Sequence, residues 1–413
     1  MGYSKQIDEG YSMRIVRGFS WSAVLNFTAM AISFGKIILL THFVFGPVEF
    51  GVFGVGVLVL GFLELVTEVG INVFLVQETG PLEEFLDTAW VISIFRGVII
   101  SLAVILLSYP LAVFFKITSS WPFILSFSLL PLIRGFLNPA IANLQKKLRF
   151  KQDAIYRFSI SAIEDFSIVL LAFLTHNIFS FVLGMIIGSI FEVILTFVII
   201  HEKPKFKFNR IHLGQIVNRG KWVTLAQLFD YLFEHIDDIA VARLLNAFSL
   251  GIYQPSYTIA SLPENAIAQQ LSKVTFPVYV KMTEDKERIK RGFVRTFWTT
   301  LLIIAPFGIL MFFFSDPIVR IILGNKWLPA IPVLRVLSLF GIVRALTNLF
   351  YPVFLAFKKQ NYVTITLLAS IVVLLILIVP MTMRFGITGA ALAALIGSLA
   401  SLPVAYVLCR KLF

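Results

Sequence analysis

Cysteine is almost missing from this chain. Cys409 is the only one in 413 residues, so no disulfide forms within it and cysteine usage says nothing about redox compartment. Charge is scarce as well, at 14% of residues, against about 25% in an ordinary soluble domain. Acids are the scarcer sign, with 23 Asp and Glu against 35 Lys and Arg, for a net charge of +12. The five histidines (His42, His176, His201, His212, His235) are scattered, and HExxH, CxxC, P-loop and G-x-S-x-G patterns are absent. These gaps leave no metallohydrolase, dithiol, nucleotide-binding or serine-hydrolase signature, and no cofactor is expected. No long polar stretch is present either, so there is no room for a separate soluble domain, and the longest outer loop, roughly 315–328, is too short to carry an active site outside a bilayer.

Apolar surface fills the space. The composition is 58% hydrophobic with 42 Phe, and mean hydropathy is +0.89. Apolar runs recur along the whole length, which marks an all-α polytopic membrane protein. Twelve spans are read at about 18–45, 50–77, 88–115, 121–146, 153–175, 178–201, 218–246, 249–280, 292–314, 329–357, 361–383 and 388–410. The first lacks an A-x-A cleavage site and is expected to stay. With both termini inside, the cytoplasmic segments hold 24 Lys and Arg, the outer loops four (Lys116, Arg320, Lys326, Arg384) and the spans seven. That orientation follows the positive-inside rule, so the basic excess reflects topology and anionic headgroups, not nucleic acid.

The longest basic connection, His201 to Arg210 (HEKPKFKFNR), falls halfway and separates an N-terminal six-helix lobe (1–201) from a C-terminal one (218–413), with 202–217 as cytoplasmic linker. The halves resemble each other. Arg17-Gly18 with Trp21 matches Arg219-Gly220 with Trp222, and Phe50-Gly51-Val52-Phe53 matches Leu250-Gly251-Ile252-Tyr253. Ile133-Arg134-Gly135-Phe136-Leu137-Asn138 matches Val343-Arg344-Ala345-Leu346-Thr347-Asn348, each followed later by a Lys-Lys pair. Six helices per copy make the copies parallel, a pseudo-two-fold along the membrane normal, as in transporters that rock one half against the other.

The spans carry charges, and a charge facing acyl chains costs about 2.5–3.5 kcal/mol at the bilayer centre. The stretch Lys221–Leu245 gathers Gln227, Asp230, Glu234, Asp237 and Asp238 on one helical face, with Leu225, Leu228, Phe229, Leu232 and Ile236 around the rest. Ser22, Asn26, Ser33 and Lys36 share a face in the first span, Gly61, Glu64, Glu68 and Asn72 in the second. Arg134, Asn138 and Gln145 share one in the fourth, Arg344, Thr347, Asn348 and Tyr351 in the tenth. The repeated, central Arg134 and Arg344 offer planar forks that fit phosphate oxygens. With Lys36, Asn138 and Asn348 they form the expected anion-binding set. Asp230, Glu234, Asp237, Asp238, Glu64 and Glu264 serve as counter-charges or as a site for H⁺ or Na⁺. Pro263, directly before Glu264 and Asn265, is singled out as a kink. Gly51, Gly54 and Gly56 suggest close helix packing.

In the order and spacing of Gly46-Pro47, Phe50-Gly51, Phe53, Glu68-Val69-Gly70 and Gln77-Glu78, the chain resembles the Wzx-type polysaccharide flippases of the multidrug/oligosaccharidyl-lipid/polysaccharide exporter superfamily. Trp222, Leu250-Gly251-Ile252-Tyr253, Tyr257, Pro263, Phe276-Pro277 and Gly324-Asn325-Lys326-Trp327-Leu328-Pro329 extend the resemblance over nearly the whole chain. It implies two six-helix lobes around a cationic lumen that moves a polyprenyl-pyrophosphate-linked oligosaccharide from the cytoplasmic to the outer leaflet of a prokaryotic inner membrane, as a monomer and not as an enzyme. Two departures stand out: His42 replaces a residue often basic in this family, and His235 to Asp238 is more acidic than usual. The alternatives are a multidrug cation antiporter of the same superfamily and, more remotely, a membrane glycosyltransferase or polymerase.

Overall fold

The computed structural model describes residues 24–67, 75, 83–147 and 149–413, and all regular structure among them is helical. The chain is an all-α, multi-pass membrane protein. Eight of its described helices are long and apolar enough to cross a bilayer, or nine if the bent pair Thr118–Arg134 and Pro139–Lys146 counts as one span. The long helices are α1 (Val24–Val44), α2 (Pro47–Val66), α3 (Glu83–Phe114), α4 (Phe150–Thr175), α5 (Phe179–Ile199), α6 (Arg210–Ala240), α7 (Ala247–Pro263), α8 (Lys286–Phe313), α9 (Ala330–Asn348) and α10 (Gln360–Arg410). Helix α6 has the length of a span, but its charges keep it out of the apolar set.

At ~1.5 Å per residue, α10 would be ~75 Å long, more than twice a hydrocarbon core. Gly386, at φ 61° and ψ −140°, interrupts it. An L side chain rarely takes that backbone conformation, so glycine is what permits the break into two helices. The stretch 121–146, read from sequence as one span, is instead three short helices and a 3₁₀ turn, with a 73° bend between the parts. Asn138, the residue before Pro139, is extended at φ −74° and ψ 111°, because the proline ring disfavours helical backbone at the position before it. The stretch after Pro263 is also interrupted: Glu264–Ala268 is a π-helical turn before the helix Gln269–Lys281.

The chain divides into two compact units, Met1–Phe45 with Val55–Leu232, and Gly46–Gly54 with Phe233–Phe413. In the first, α4 and α5 form a close hairpin, with Gly184 against Ile168 and Gly188 against Glu164. Its apolar core near the start of α3 joins Phe85, Leu86, Ala89 and Ile92 to Ala140, Ala142 and Leu144. In the second, Phe293, Phe350, Phe354 and Leu408 anchor a core between α8, α10 and the helix Phe350–Ala356.

The matched stretches share local structure. A π-helical turn ends α1 at Leu40–Val44 and another follows α6 at Val241–Leu245. Beyond each, the matched glycines Gly51 and Gly251 meet in the second unit. A Cβ on Gly51 would strike the Ala247 carbonyl, and one on Gly251 would strike the Pro47 carbonyl. Beside them, Trp327 is fully buried with its ring edge-on to Phe50 at 5.2 Å.

Candidate functional site

Among the described residues, each unit holds a polar cavity within its helices. The first, of about 590 Å³, is lined by Glu64, Arg96, Arg134, Gln145, Arg157 and Glu192 among others. Arg134 stands at the end of the short helix Leu129–Arg134. Its Nε donates to Ser189 Oγ on α5 at 3.2 Å, and its Nη1 donates to Glu64 Oε1 at 3.5 Å. Nη2 has no hydrogen-bond partner among the described residues. Arg96 on α3 caps the last turn of α2, with Nη2 donating to the Glu64 carbonyl at 2.7 Å and Nε to Thr67 Oγ1 at 3.4 Å. Arg157 on α4 pairs with Asp153 one turn earlier at 3.0 Å, and the Tyr156 hydroxyl donates to Glu192 Oε1 at 3.0 Å. Three guanidiniums therefore face three carboxylates in one cavity. Such a lining is neutral as it stands, yet can turn cationic forks toward an anion that enters.

The second cavity, of about 410 Å³, has Arg344 and His235 against four carboxylates: Glu234, Asp237, Asp238 and Glu264. All three guanidinium nitrogens of Arg344 on α9 have a partner. Nε donates to Glu264 Oε1 at 3.0 Å, Nη2 to Glu234 Oε1 at 3.2 Å, and Nη1 to the Tyr257 hydroxyl. Phe340, one turn earlier on α9, lies under the guanidinium at 5.8 Å. Asn348 Nδ2 also donates to Glu264 Oε1, at 2.8 Å, while Glu264 Oε2 is buried with no partner. Deeper in, Tyr253 donates to Asp237 Oδ2 at 2.6 Å, and Asp238 Oδ2 meets His235 Nδ1 at 3.1 Å and Gln254 Nε2 at 3.4 Å. The kink at Pro263 matters here, since the π turn that follows sets Glu264 against α9.

The residues expected to act together are thus divided. Arg134 meets Glu64 in the first unit; Arg344 meets Glu234, Glu264 and Asn348 in the second, with Asp237 and Asp238 lining the same cavity. Lys36 lines neither cavity. It pairs with the buried Asp165 on α4, which also accepts from Ser33 Oγ at 2.5 Å. Asn138 borders the first cavity, but its side chain serves the backbone: Oδ1 accepts from Ala140 N at 3.0 Å and Nδ2 donates to the Glu202 carbonyl at 2.8 Å. The Asp230 side chain lies outside the described residues, as do Ser22 and Glu68.

The sequence pattern assigns no role to Arg96 or Asp165. Nor does it assign one to Arg157. Tyr253 and Tyr257, which carry part of the family resemblance, have no site role in that pattern, yet they are the phenols that hold Asp237 and Arg344. A usable signal was present, because Tyr253, Gln254, Tyr257, Thr258 and Ser261 make a polar stripe at helical spacing along an otherwise apolar segment.

The sequence pattern described as "Polysaccharide biosynthesis protein" matches residues 43–332. The chain belongs to that family. Among curated relatives, it is 25% identical over 386 residues to an uncharacterized membrane protein in the cps region of Klebsiella pneumoniae, covering 91% of this chain and 78% of that one. It is 27% identical over 296 residues to the teichuronic acid biosynthesis protein TuaB of Bacillus subtilis (strain 168), covering 70% of this chain and 60% of TuaB. Among solved structures, the lipid II flippase MurJ in an inward closed conformation superposes with a TM-score of 0.77 at 18% identity, over 94% of this chain and 87% of that one. At that identity the likeness establishes the fold that this family member shares.

Proposed function

We propose that this member of the polysaccharide biosynthesis family is a flippase: it carries an oligosaccharide linked through phosphate to a membrane lipid from one leaflet to the other, and is a transporter, not an enzyme. Family membership and the multi-pass helical fold support the class. The observation that carries the site is Arg134, a guanidinium with an open donor edge in a membrane-embedded cavity of about 590 Å³. An unpaired phosphate crossing hydrocarbon is prohibitively costly. A fork already inside the protein replaces its hydration with charge-assisted hydrogen bonds. On this reading Arg134 takes the phosphate, and Arg344 takes its turn only when Glu234 and Glu264 release it. The chain lies in the prokaryotic inner membrane with both termini cytoplasmic, acts as a monomer, and uses H⁺ or Na⁺ at the acidic cavity as coupling ion.

The test is transport of a fluorescent lipid-linked oligosaccharide in liposomes. Two lost charge-assisted bonds at about 1.5 kcal/mol each correspond to roughly a hundredfold in rate. Arg134→Ala should therefore fall by at least about tenfold while Arg134→Lys keeps part of the activity. Wild-type transport by Arg134→Ala would remove the assignment. The acidic cavity favours a second reading, a multidrug cation antiporter, because four carboxylates outnumber Arg344 there. That reading predicts uptake of a cationic dye with no movement of the lipid-linked sugar.

A further inference from the structure

The segment after α5 joins two features that the transport cycle does not use. It is strongly basic, with Lys203, Lys205, Lys207 and Arg210 all exposed. Alternating with them are apolar side chains that are equally bare: Phe206 is 68% exposed, Phe208 52% and Ile211 71%. A water-facing loop has no physical reason to hold two phenylalanines and an isoleucine there, and such clusters mark interaction sites.

Its position is fixed by the backbone. The Lys205 N–H donates to Asp87 Oδ1 at 2.6 Å and the Asn209 N–H to Thr88 Oγ1 at 3.2 Å, both in the opening turns of α3. At the near end the Glu202 carbonyl accepts from Asn138 Nδ2 at 2.8 Å, and the Glu202 carboxylate pairs with Lys147 at 3.5 Å. The apolar run of α3 begins at Phe85, so the two pins hold the segment at the level where the bilayer-spanning part of the chain starts. Between them the chain turns sharply, Lys207 N–H to the Lys205 carbonyl at 2.7 Å, with Phe206 at the apex.

We propose that Lys203–Ile211 is a membrane-surface anchor: Lys203, Lys205, Lys207 and Arg210 bind anionic lipid headgroups while Phe206, Phe208 and Ile211 enter the boundary between headgroups and acyl chains. Charge complementarity chooses this occupant. Clustered bases beside a span are attracted to anionic headgroups, and basic residues interleaved with aromatics suit the interface. The placement agrees with the positive-inside orientation, which puts this connection at the cytoplasmic leaflet, where anionic lipids give a negative surface. It does not depend on what the protein transports.

The test uses the full chain with the buried Cys409 changed to Ser and an environment-sensitive fluorophore on Phe206→Cys or Phe208→Cys. The protein is reconstituted into phosphatidylcholine vesicles with or without phosphatidylglycerol, and compared in detergent. Blue-shifted emission that is quenched by spin-labelled lipid in the anionic vesicles is expected. It should be lost at high salt and in Lys203→Glu/Lys205→Glu/Lys207→Glu, whose folding is checked by gel filtration. Water-like emission in both vesicle types overturns the proposal. So does a blue shift that spin-labelled lipid does not quench, which would mean that protein covers the segment.

Discussion

Replacing Arg344 by Ala separates a folding role from a transport role. The Glu264 side chain is 1% exposed and already has one buried oxygen without a partner. Its other oxygen is held by Arg344 and Asn348. Removing the guanidinium leaves a buried carboxylate with an amide alone, a change that typically costs about 3–5 kcal/mol. The Glu234 contact adds little, because that carboxylate is 57% exposed and exposed pairs are worth about 0–1 kcal/mol. The Tyr257 hydroxyl loses its partner as well. Arg344→Ala should lower the thermal unfolding midpoint in detergent by on the order of 5 °C. Glu264→Gln alone should be milder, since Arg344 keeps Glu234 and is 28% exposed. Combining the two should recover much of the loss, because the uncompensated charge is then gone. A coupling of at least about 1.5 kcal/mol in the double-mutant cycle is expected. If Arg344→Ala unfolds at the wild-type temperature, or the two changes simply add, the buried pair is not what holds α7, α9 and the π turn together.

Asn138→Ala removes a cap and a tie to Glu202 in a bend shaped by Pro139. It should destabilise the protein by about 1–2 kcal/mol in denaturation while reducing transport per folded molecule much less than Arg134→Ala does. Gly251→Ala should lower the unfolding midpoint by the equivalent of about 1–3 kcal/mol through overpacking, since its Cβ would meet the Pro47 carbonyl and backbone cannot step aside as a side chain can. Gly386→Ala has open space around it but a positive φ, so it should cost about 1 kcal/mol from backbone strain alone. Asp237→Asn should change the pH or Na⁺ dependence of transport if the acidic cavity holds the coupling ion, and only the unfolding midpoint if Tyr253–Asp237 is a static tie.

The sequence alone determined that this is an all-helical membrane protein and which family it resembles. Hydropathy and the expense of charge in lipid are local properties, readable residue by residue. It also marked Gly51 for close helix packing, which the structure bears out, and Pro263 as a point of interruption. The partners were decided by tertiary structure. Arg134 and Arg344 occupy matching places in sequence, yet among the described residues Arg134 meets Glu64 and Ser189 with one nitrogen open, while Arg344 has every nitrogen on Glu234, Glu264 or Tyr257. Asn138 and Asn348 match too, but Pro139 turns the first into a cap and the continuous α9 leaves the second to hold Glu264. A stripe on one helix says that a polar face exists. Which side chain answers it depends on the neighbouring helix, and that neighbour is set by packing over separations of tens to more than a hundred residues, where periodicity carries no information.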